Sequence, residues 1–358
     1  MRTEVINVRS QAEGGTKRGA EIIRAGGLVA FPTETVYGLG ANGFDDEAVR
    51  GIFAAKGRPA DNPLILHVSK KSDVKDIWRR VPKQAQVLMD TFWPGPLTII
   101  APRTDEVPDA VTAGLDTVAV RMPADKTARL LIGKAGVPIA APSANLSGKP
   151  SPTTAQHVLD DMDGRIPLIL DGGPCKYGVE STVLTLAGKQ PTILRPGAVT
   201  LEMLYAVLGD VAVADSILSP MHEGEVAASP GMKYKHYAPN AEVVCVRGEP
   251  EAVAKKLNAL YREAERAGRS CEIMMTENLQ RLIQSTNALK HLYKEKSCVI
   301  LGDRDHPEEL CAKLFYELRE LDKTADLILA EGIETDHYGL AYMNRLLRAA
   351  GFQVFEAR

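Results

Sequence analysis

Residues 27–68, GLVAFPTETVYGLGANGFDDEAVRGIFAAKGRPADNPLILHV, contain the pattern that decides the fold. Two short apolar runs, 27–31 and 64–68, are bounded by Gly or Pro, as buried strands are. Between them, Asp45 can cap a helix with apolar residues at helical spacing, and Gly57 can end it. This succession of strand, helix and strand predicts an α/β architecture.

The same alternation continues along the chain in two blocks. In the first block, further strands are predicted at 97–100, 118–121, 138–140 and 182–186. In the second, strands at 243–247, 272–275, 298–301 and 325–330 alternate with helical stretches such as 250–267 and 307–321, which predicts a Rossmann-like doubly wound sheet. A chain of 358 residues has room for two domains. We predict a twisted α/β domain over 1–209, a Pro- and Gly-punctuated linker over 210–240 and a smaller doubly wound domain over 241–358.

Composition excludes several classes of protein. The chain is 45% hydrophobic and 25% charged, so a mostly disordered or fibrous chain is excluded. The net charge is +2 over the first 209 residues and −5 over the rest, so tRNA is expected to bind at most weakly. No apolar run is long enough to span a bilayer and the first residues do not form a signal peptide, so we expect a cytoplasmic protein without a membrane partner. The five cysteines contain no C-x-x-C pair, and we expect reduced thiols and no protein-held metal.

Loops rich in hydroxyl groups and cations follow several of the predicted strands. They are 32–40, 56–63, 141–153 and 171–182, with Arg195 after another strand. Glycines there allow backbone N–H groups to approach a ligand closely, and prolines stiffen the loop that carries Lys and Arg. Both features suit the binding of phosphates or carboxylates. The alternatives are a strand-to-helix turn at 32–40, a solvated basic turn at 56–63 and a core histidine at 67. No G-x-S-x-G motif or evident base activates a serine, which disfavours covalent catalysis.

Eight motifs occur in one order along nearly the whole chain. They are PTETVYGLG (32–40), KGRPADNPL (56–64), FWPGPLT (92–98), VAVRMP (118–123), APSANLSGKPSPT (141–153), GVESTV (178–183), ILRPGA (193–198) and SPGMKYKHYAP (229–239). On these motifs the sequence resembles the threonylcarbamoyl-AMP synthase family in its long form, which has a YrdC-type catalytic domain followed by a Rossmann-like domain. Lys56, Arg58, Ser143 and Asn145 match the family's signature.

The resemblance implies a reaction and a set of site residues. The reaction joins L-threonine, bicarbonate or CO2, and ATP into L-threonylcarbamoyladenylate and pyrophosphate, for the t6A modification of tRNAs that read codons beginning with A. Expected threonine contacts are Thr35, His67, Arg121, Ala141 and Ser181. Expected nucleotide contacts are Lys56, Arg58, Asn62, Thr117, Ser143, Asn145, Ser151, Arg195 and Tyr234, with Lys56 and Arg58 as the catalytic cations. Tyr234, His236 and Tyr237 are expected to form a lid carried by the linker.

The resemblance also implies Mg²⁺, downstream tRNA threonylcarbamoyltransferase proteins as partners and no resident metal. We expect the ATP phosphates to hold the ion, because Mg²⁺ keeps several waters and the loops contain few acids besides Glu34 and Glu180.

Two other functions compete with this one. A carbamoyltransferase is the first, since related domains transfer carbamoyl groups; the C-x-x-C pairs and the acylphosphatase segment of the hydrogenase-maturation type are absent here. A non-catalytic RNA-binding module is the second, favoured by the basic loops and opposed by the charge balance.

Overall fold

The computed structural model describes residues 2–219, 237–286 and 298–358. These residues form two compact units. The first comprises 2–147 and 151–217, and the second comprises 148–150, 218–219 and the described residues from 237 onwards. No helix within these described ranges is long and apolar enough to cross a membrane.

One mixed sheet forms the framework of the first unit. Its strands are β1 (Glu4–Asn7), β2 (Val29–Phe31), β3 (Gly38–Asn42), β4 (Ile65–His67), β5 (Leu97–Pro102), β6 (Thr117–Arg121), β7 (Ile139–Ala140), β8 (Leu168–Asp171), β9 (Thr182–Thr185), β10 (Thr192–Arg195) and β11 (Ala212–Val213). They lie in the order β1-β8-β2-β3-β7-β4-β6-β5-β9-β10-β11. All six strands predicted in this block are present.

Helices cover this sheet and join its strands. They are α1 (Ala12–Arg24), α2 (Asp46–Lys56), α3 (Lys83–Phe92), α4 (Asp109–Thr112), α5 (Lys126–Ala135), α6 (Ala155–Met162) and α7 (Leu201–Leu208). In α2, the Asp45 carboxylate accepts from the Ala48 N–H at 3.1 Å, and Gly57 ends the helix with φ 61°. Both caps agree with the sequence prediction. They place Lys56 in the last turn, where its side chain reaches the following loops.

The segment 32–40 differs from the strand-to-helix turn considered above. Its last residues form β3, which pairs antiparallel with β2, so the loop joins two strands. A side chain at Gly40 would lie 2.7 Å from an Ile139 methyl group and 2.8 Å from the Phe31 ring. Glycine is therefore required at this position for the close packing of β3. The sequence of β3, Gly-Leu-Gly-Ala-Asn, contains few of the residues typical of strands.

The register of three central strands brings polar side chains into one row. His67 of β4 pairs with Arg121 of β6, and Arg121 pairs with Thr98 of β5. Residues directly opposite each other in a sheet point to the same face. The three side chains are almost completely buried. This row is the centre of the candidate site.

The second unit is a separate parallel sheet with helices. Its strands are β12 (Glu242–Gly248), β13 (Cys271–Met275), β14 (Cys298–Ile300), β15 (Leu327–Glu331) and β16 (Val354–Ala357), in the order β14-β13-β15-β12-β16. Its helices are α8 (Pro250–Arg266), α9 (Glu277–Ser285), α10 (Pro307–Leu321) and α11 (His337–Ala349). All strand pairs are parallel, which confirms the doubly wound prediction. Residues of β12, β13, β15, α8 and α9 form one apolar cluster of its core.

Candidate active site

Arg121 is held by three hydrogen bonds at the centre of the candidate site. Its guanidinium donates to Glu34 Oε1 at 2.6 Å, to Thr35 Oγ1 at 2.9 Å and to the Gly95 carbonyl at 3.2 Å. Burial alone raises the pKa of Glu34, but the charge and hydrogen bond of Arg121 outweigh it and hold that pKa below its ordinary value. The pair is therefore ionised at neutral pH. A guanidinium has five N–H groups, so Arg121 retains N–H groups that can donate to a ligand carboxylate.

The hydroxyl groups of Thr33 and Thr35 bond to each other and to the backbone. Thr33 donates to the Val36 carbonyl at 2.6 Å and accepts from the N–H groups of Thr35 and Val36, at 3.1 and 3.2 Å. The two hydroxyl oxygens lie 2.8 Å apart, and either hydroxyl could donate in that contact. Thr35 also accepts from Arg121 at 2.9 Å. These bonds hold the Thr35 oxygen beside the Arg121 guanidinium, where it can meet a polar group of a ligand.

His67 is buried and uncharged. Burial, followed by the neighbouring positive charge of Arg121, lowers the pKa of His67 to about 3. Its Nδ1 lies 3.2 Å from the Ile65 carbonyl, and its ring packs edge-on against Phe31. At neutral pH His67 is a neutral hydrogen-bonding group beside Arg121 and does not compete with it for anions.

Ser181 and Arg195 form a second bonded group next to the row. Arg195 donates through Nε to the Ser181 carbonyl at 3.0 Å and through Nη2 to Ser181 Oγ at 3.1 Å. Ser181 Oγ also lies 2.8 Å from Thr98 Oγ1. The preceding residue, Glu180, accepts a hydrogen bond from Ser151. Ser181, a predicted threonine contact, and the preceding Glu180 are therefore each bonded to a predicted nucleotide contact, Arg195 and Ser151 respectively.

Lys56 organises the loop that follows β7. The ammonium is 3% exposed and donates to the carbonyls of Ser143 and Asn145, both at 2.5 Å. Ser143 Oγ donates to Asn145 Oδ1 at 2.5 Å, and the Ser147 N–H donates back to the Lys56 carbonyl at 3.0 Å. For Lys56, the alternative of a solvated basic turn is wrong, because the charge is buried and holds a second loop in place.

Arg58 and Asn62 lie on the loop after α2. Arg58 is half-buried, donates to the Asn62 carbonyl at 3.1 Å and lies over the Phe53 ring at 5.8 Å. The Asn62 side chain is 1% exposed, and neither amide atom has a hydrogen-bond partner within the described ranges. A buried amide without partners is costly, so Asn62 is suited to bind a ligand.

Two further contacts connect the loops of the site. Gly38 forms a β-bridge with Ser143, and the Ala141 N–H donates to the Ile65 carbonyl at 2.9 Å. Thr117 is more distant, because it begins β6 whereas Arg121 ends it, a separation of about 13 Å along the strand. No hydrogen bond joins Thr117 to another predicted site residue in the part of the chain that the structure describes.

The predicted lid is only partly within the structure. Tyr234 and His236 lie outside the described residues. Tyr237 is buried at 5% exposure, with its ring 5.1 Å from that of Phe315 and the Arg345 guanidinium 5.8 Å from its centre. These contacts lie within the second unit and make Tyr237 an anchor of the chain there.

Sequence reasoning did not assign four polar residues that hold the site together. They are Thr33, Glu34, Thr98 and Glu180. Thr98 interrupts the apolar run 97–100, and Glu34 lies between two threonines, so both carried a signal: a polar residue that must find a partner on burial. Their partners lie far away in sequence, and only the folded chain identifies them.

The acids of the site offer no metal cage. Glu34 is engaged by Arg121 and Glu180 by Ser151. Across the described ranges, no group of three or more His, Cys, Asp or Glu residues could hold a metal ion. The donor set is that of a site for anions.

Comparisons with known proteins identify the family of the chain. Residues 21–197 match the Sua5/YciO/YrdC family, described as "Telomere recombination", and residues 199–351 match the family "Threonylcarbamoyl-AMP synthase, C-terminal domain". The chain is 45% identical to threonylcarbamoyl-AMP synthase of Pyrococcus abyssi over 99% of both chains, and 47% identical to that of Bacillus subtilis over 94% of this chain and 93% of the relative. A solved structure, P. abyssi Sua5 complexed with L-threonine, superposes with a TM-score of 0.90 at 43% identity, covering 99% of this chain and 100% of that one. The chain therefore belongs to the threonylcarbamoyl-AMP synthase family.

Proposed function

We propose that the buried polar cluster of the first unit is where this chain, a threonylcarbamoyl-AMP synthase, joins threonine, bicarbonate or CO2, and ATP. The observation that carries the assignment is the row of His67, Arg121 and Thr98 with its extensions to Thr35 and Ser181. The row and its extensions combine one fixed cation, hydroxyl groups and a neutral histidine, which together suit the polar groups of an amino acid.

Threonine binds with its carboxylate toward Arg121 and Ser181 and its amine toward Thr35. Arg121 offers N–H donors besides those bonded to Glu34 and Thr35, and Thr35 offers its hydroxyl oxygen. His67 and the backbone around Ala141 complete the pocket. This orientation holds the amine beside the Thr35 oxygen. The amine releases a proton to solvent water, because a threonine hydroxyl is too weak a base to take it, and the neutral nitrogen then attacks the carbon of CO2.

ATP binds along the loops of Lys56, Arg58, Asn62, Ser143, Asn145 and Ser151, with Arg195 beside Ser181 and Thr117 at the far end. Lys56 fixes the Ser143–Asn145 loop, and Arg58 supplies charge to the phosphates. The engaged state of Glu34 and Glu180 fits an Mg²⁺ ion held by the ATP phosphates rather than by carboxylates. When bound, the ion neutralises phosphate charge and assists departure of pyrophosphate.

The chemistry requires positioning and charge stabilisation more than covalent catalysis. The amine nitrogen forms a bond to the CO2 carbon, and a carbamate oxygen then attacks the α-phosphorus as the bond to pyrophosphate breaks. Arg58 and Arg195 oppose the negative charge that accumulates on the phosphate oxygens. The product is a mixed anhydride that water hydrolyses, so exclusion of water is part of the function.

Two features of the family remain proposals for this chain. A lid formed by the linker residues Tyr234 and His236 shields the product, and downstream tRNA threonylcarbamoyltransferase proteins take it over. A truncation ending at Ser219 tests the lid: the intermediate should be hydrolysed faster than in the full chain, and an unchanged lifetime would exclude it.

Pyrophosphate release in the presence of ATP, bicarbonate and Mg²⁺ tests the activity. Release should depend on L-threonine, and mass spectrometry should detect the threonylcarbamoyl adenylate. Dependence on carbamoyl phosphate would favour the carbamoyltransferase. RNA retention lost in Lys56→Ala and Arg58→Ala variants with turnover intact would favour an RNA-binding module.

A further inference from the structure

Thr98 is a buried polar residue in an apolar strand, and none of the functions above uses its hydroxyl. It is 0% exposed in β5, between Leu97 and Ile99, which are also fully buried. Its neighbours across the sheet are Arg121 in β6 and Val183 in β9. A hydroxyl in such a place needs a hydrogen-bond partner, because burying it without one is costly.

The hydroxyl of Ser181 is that partner. The two oxygens are 2.8 Å apart, and within residues 2–219, 237–286 and 298–358 no other group is bonded to Thr98 Oγ1. Either oxygen could donate by distance alone. If Ser181 donated, the hydrogen of Thr98 would be buried without an acceptor. Thr98 is therefore the donor and Ser181 the acceptor.

This direction determines what Ser181 can offer a ligand. Ser181 Oγ also accepts from Arg195 Nη2 at 3.1 Å, so both of its lone pairs are occupied. Its own hydrogen is the remaining group. Ser181 can then bond an anionic or carbonyl oxygen but cannot accept from an ammonium group.

We propose that Thr98 is a positioning residue that fixes Ser181 as a hydrogen-bond donor to the carboxylate of the amino-acid substrate. The inference rests on the proposed function, since it concerns the same site. Arg121, paired with Thr98 across the sheet, and Ser181 then present donors to one carboxylate, while Thr35 presents its oxygen to the amine. The fixed direction of the Thr98 and Ser181 hydroxyl groups thus orients the substrate carboxylate.

The test compares steady-state kinetics of pyrophosphate release by the full chain and its variants. Thr98→Val removes the hydroxyl and keeps the shape, so KM for threonine should rise about tenfold, the effect expected when one hydrogen bond to a charged group is lost. KM for ATP should stay within about twofold of wild type, because the nucleotide loops are untouched. Thr98→Ser retains the hydroxyl and should restore most of the affinity for threonine.

Two controls separate positioning from a structural effect. Thr16→Val is the matched control, because Thr16 is equally buried in the first unit but donates only to its own helix, to the Ala12 carbonyl at 2.6 Å. Ser181→Ala should raise KM for threonine as Thr98→Val does, and the double variant should add little to either single one. Should Thr98→Val not fold, Thr98→Ala removes the same hydroxyl and takes its place.

The outcomes distinguish the proposed function from the role of Thr98 within it. A wild-type chain without threonine-dependent release would overturn the proposed function itself. An active wild type with an unchanged KM for threonine in Thr98→Val, or an equal rise in both KM values that Thr98→Ser does not reverse, would overturn only the role of Thr98.

Discussion

Replacing Lys56 with Met tests whether the buried ammonium holds the site together. Methionine has a similar length and no charge, so the change removes the donor from the carbonyls of Ser143 and Asn145, each 2.5 Å from the nitrogen. Leaving a buried acceptor unsatisfied costs about 1–3 kcal/mol, so two acceptors cost about 2–6 kcal/mol. For a unit of this size, each kcal/mol lowers the melting temperature by about 2–4 °C, which gives a decrease of about 4–24 °C.

Tryptophan fluorescence reports this unfolding selectively. The protein has two tryptophans, Trp78 and Trp93, and both are buried in the first unit. Lys75→Met serves as the control, because Lys75 is exposed in the same unit. We expect Lys75→Met to melt as the wild type does, and Lys56→Met to melt earlier and lose turnover. A Lys56→Met chain that melts within about 2 °C of wild type would refute the organising role, and full turnover would refute the location of the site.

Three other predictions follow from the same geometry. Arg58→Ala should lose most turnover with little change in melting temperature, because Arg58 is half-buried on a loop; turnover near wild type would refute its role. The pKa of Glu34 is lowered in the folded state, so the stabilisation that its carboxylate provides is present above the unfolded-state pKa near 4.5 and is lost as the pH falls further. In urea unfolding, Glu34→Gln should therefore lose less free energy of unfolding than the wild type when the pH falls below that value. The pKa of His67 is lowered to about 3, so stability should rise with pH up to about 6.5; His67→Gln should flatten that rise, and an unchanged slope would contradict a buried neutral histidine.

Features set by local chemistry were predictable. Helix α2 followed from its cap at Asp45 and its end at Gly57, since capping groups act within one turn of the chain. Strands β12, β13, β14 and β15 of the second unit followed from apolar runs, because a parallel sheet buries both of its faces; the edge strand β16 was not predicted. Strand β3 was not predicted, since its glycines carry no strand preference and are explained only by the Phe31 and Ile139 side chains that pack against them.

The candidate site also has features that the sequence predicts and features that only the folded chain shows. Its loops could be located in the sequence, because glycines, prolines, hydroxyl groups and cations mark them locally, and the family motifs named the residues. Several hydrogen-bond partners within the site could not be predicted, because they are remote in sequence: Glu34 lies 87 positions from Arg121, and Thr98 lies 83 positions from Ser181. A sequence determines which groups are available and which segments become helix or strand. Sheet register decides which groups meet, and in a buried site that decides which of them are charged, which donate and which accept.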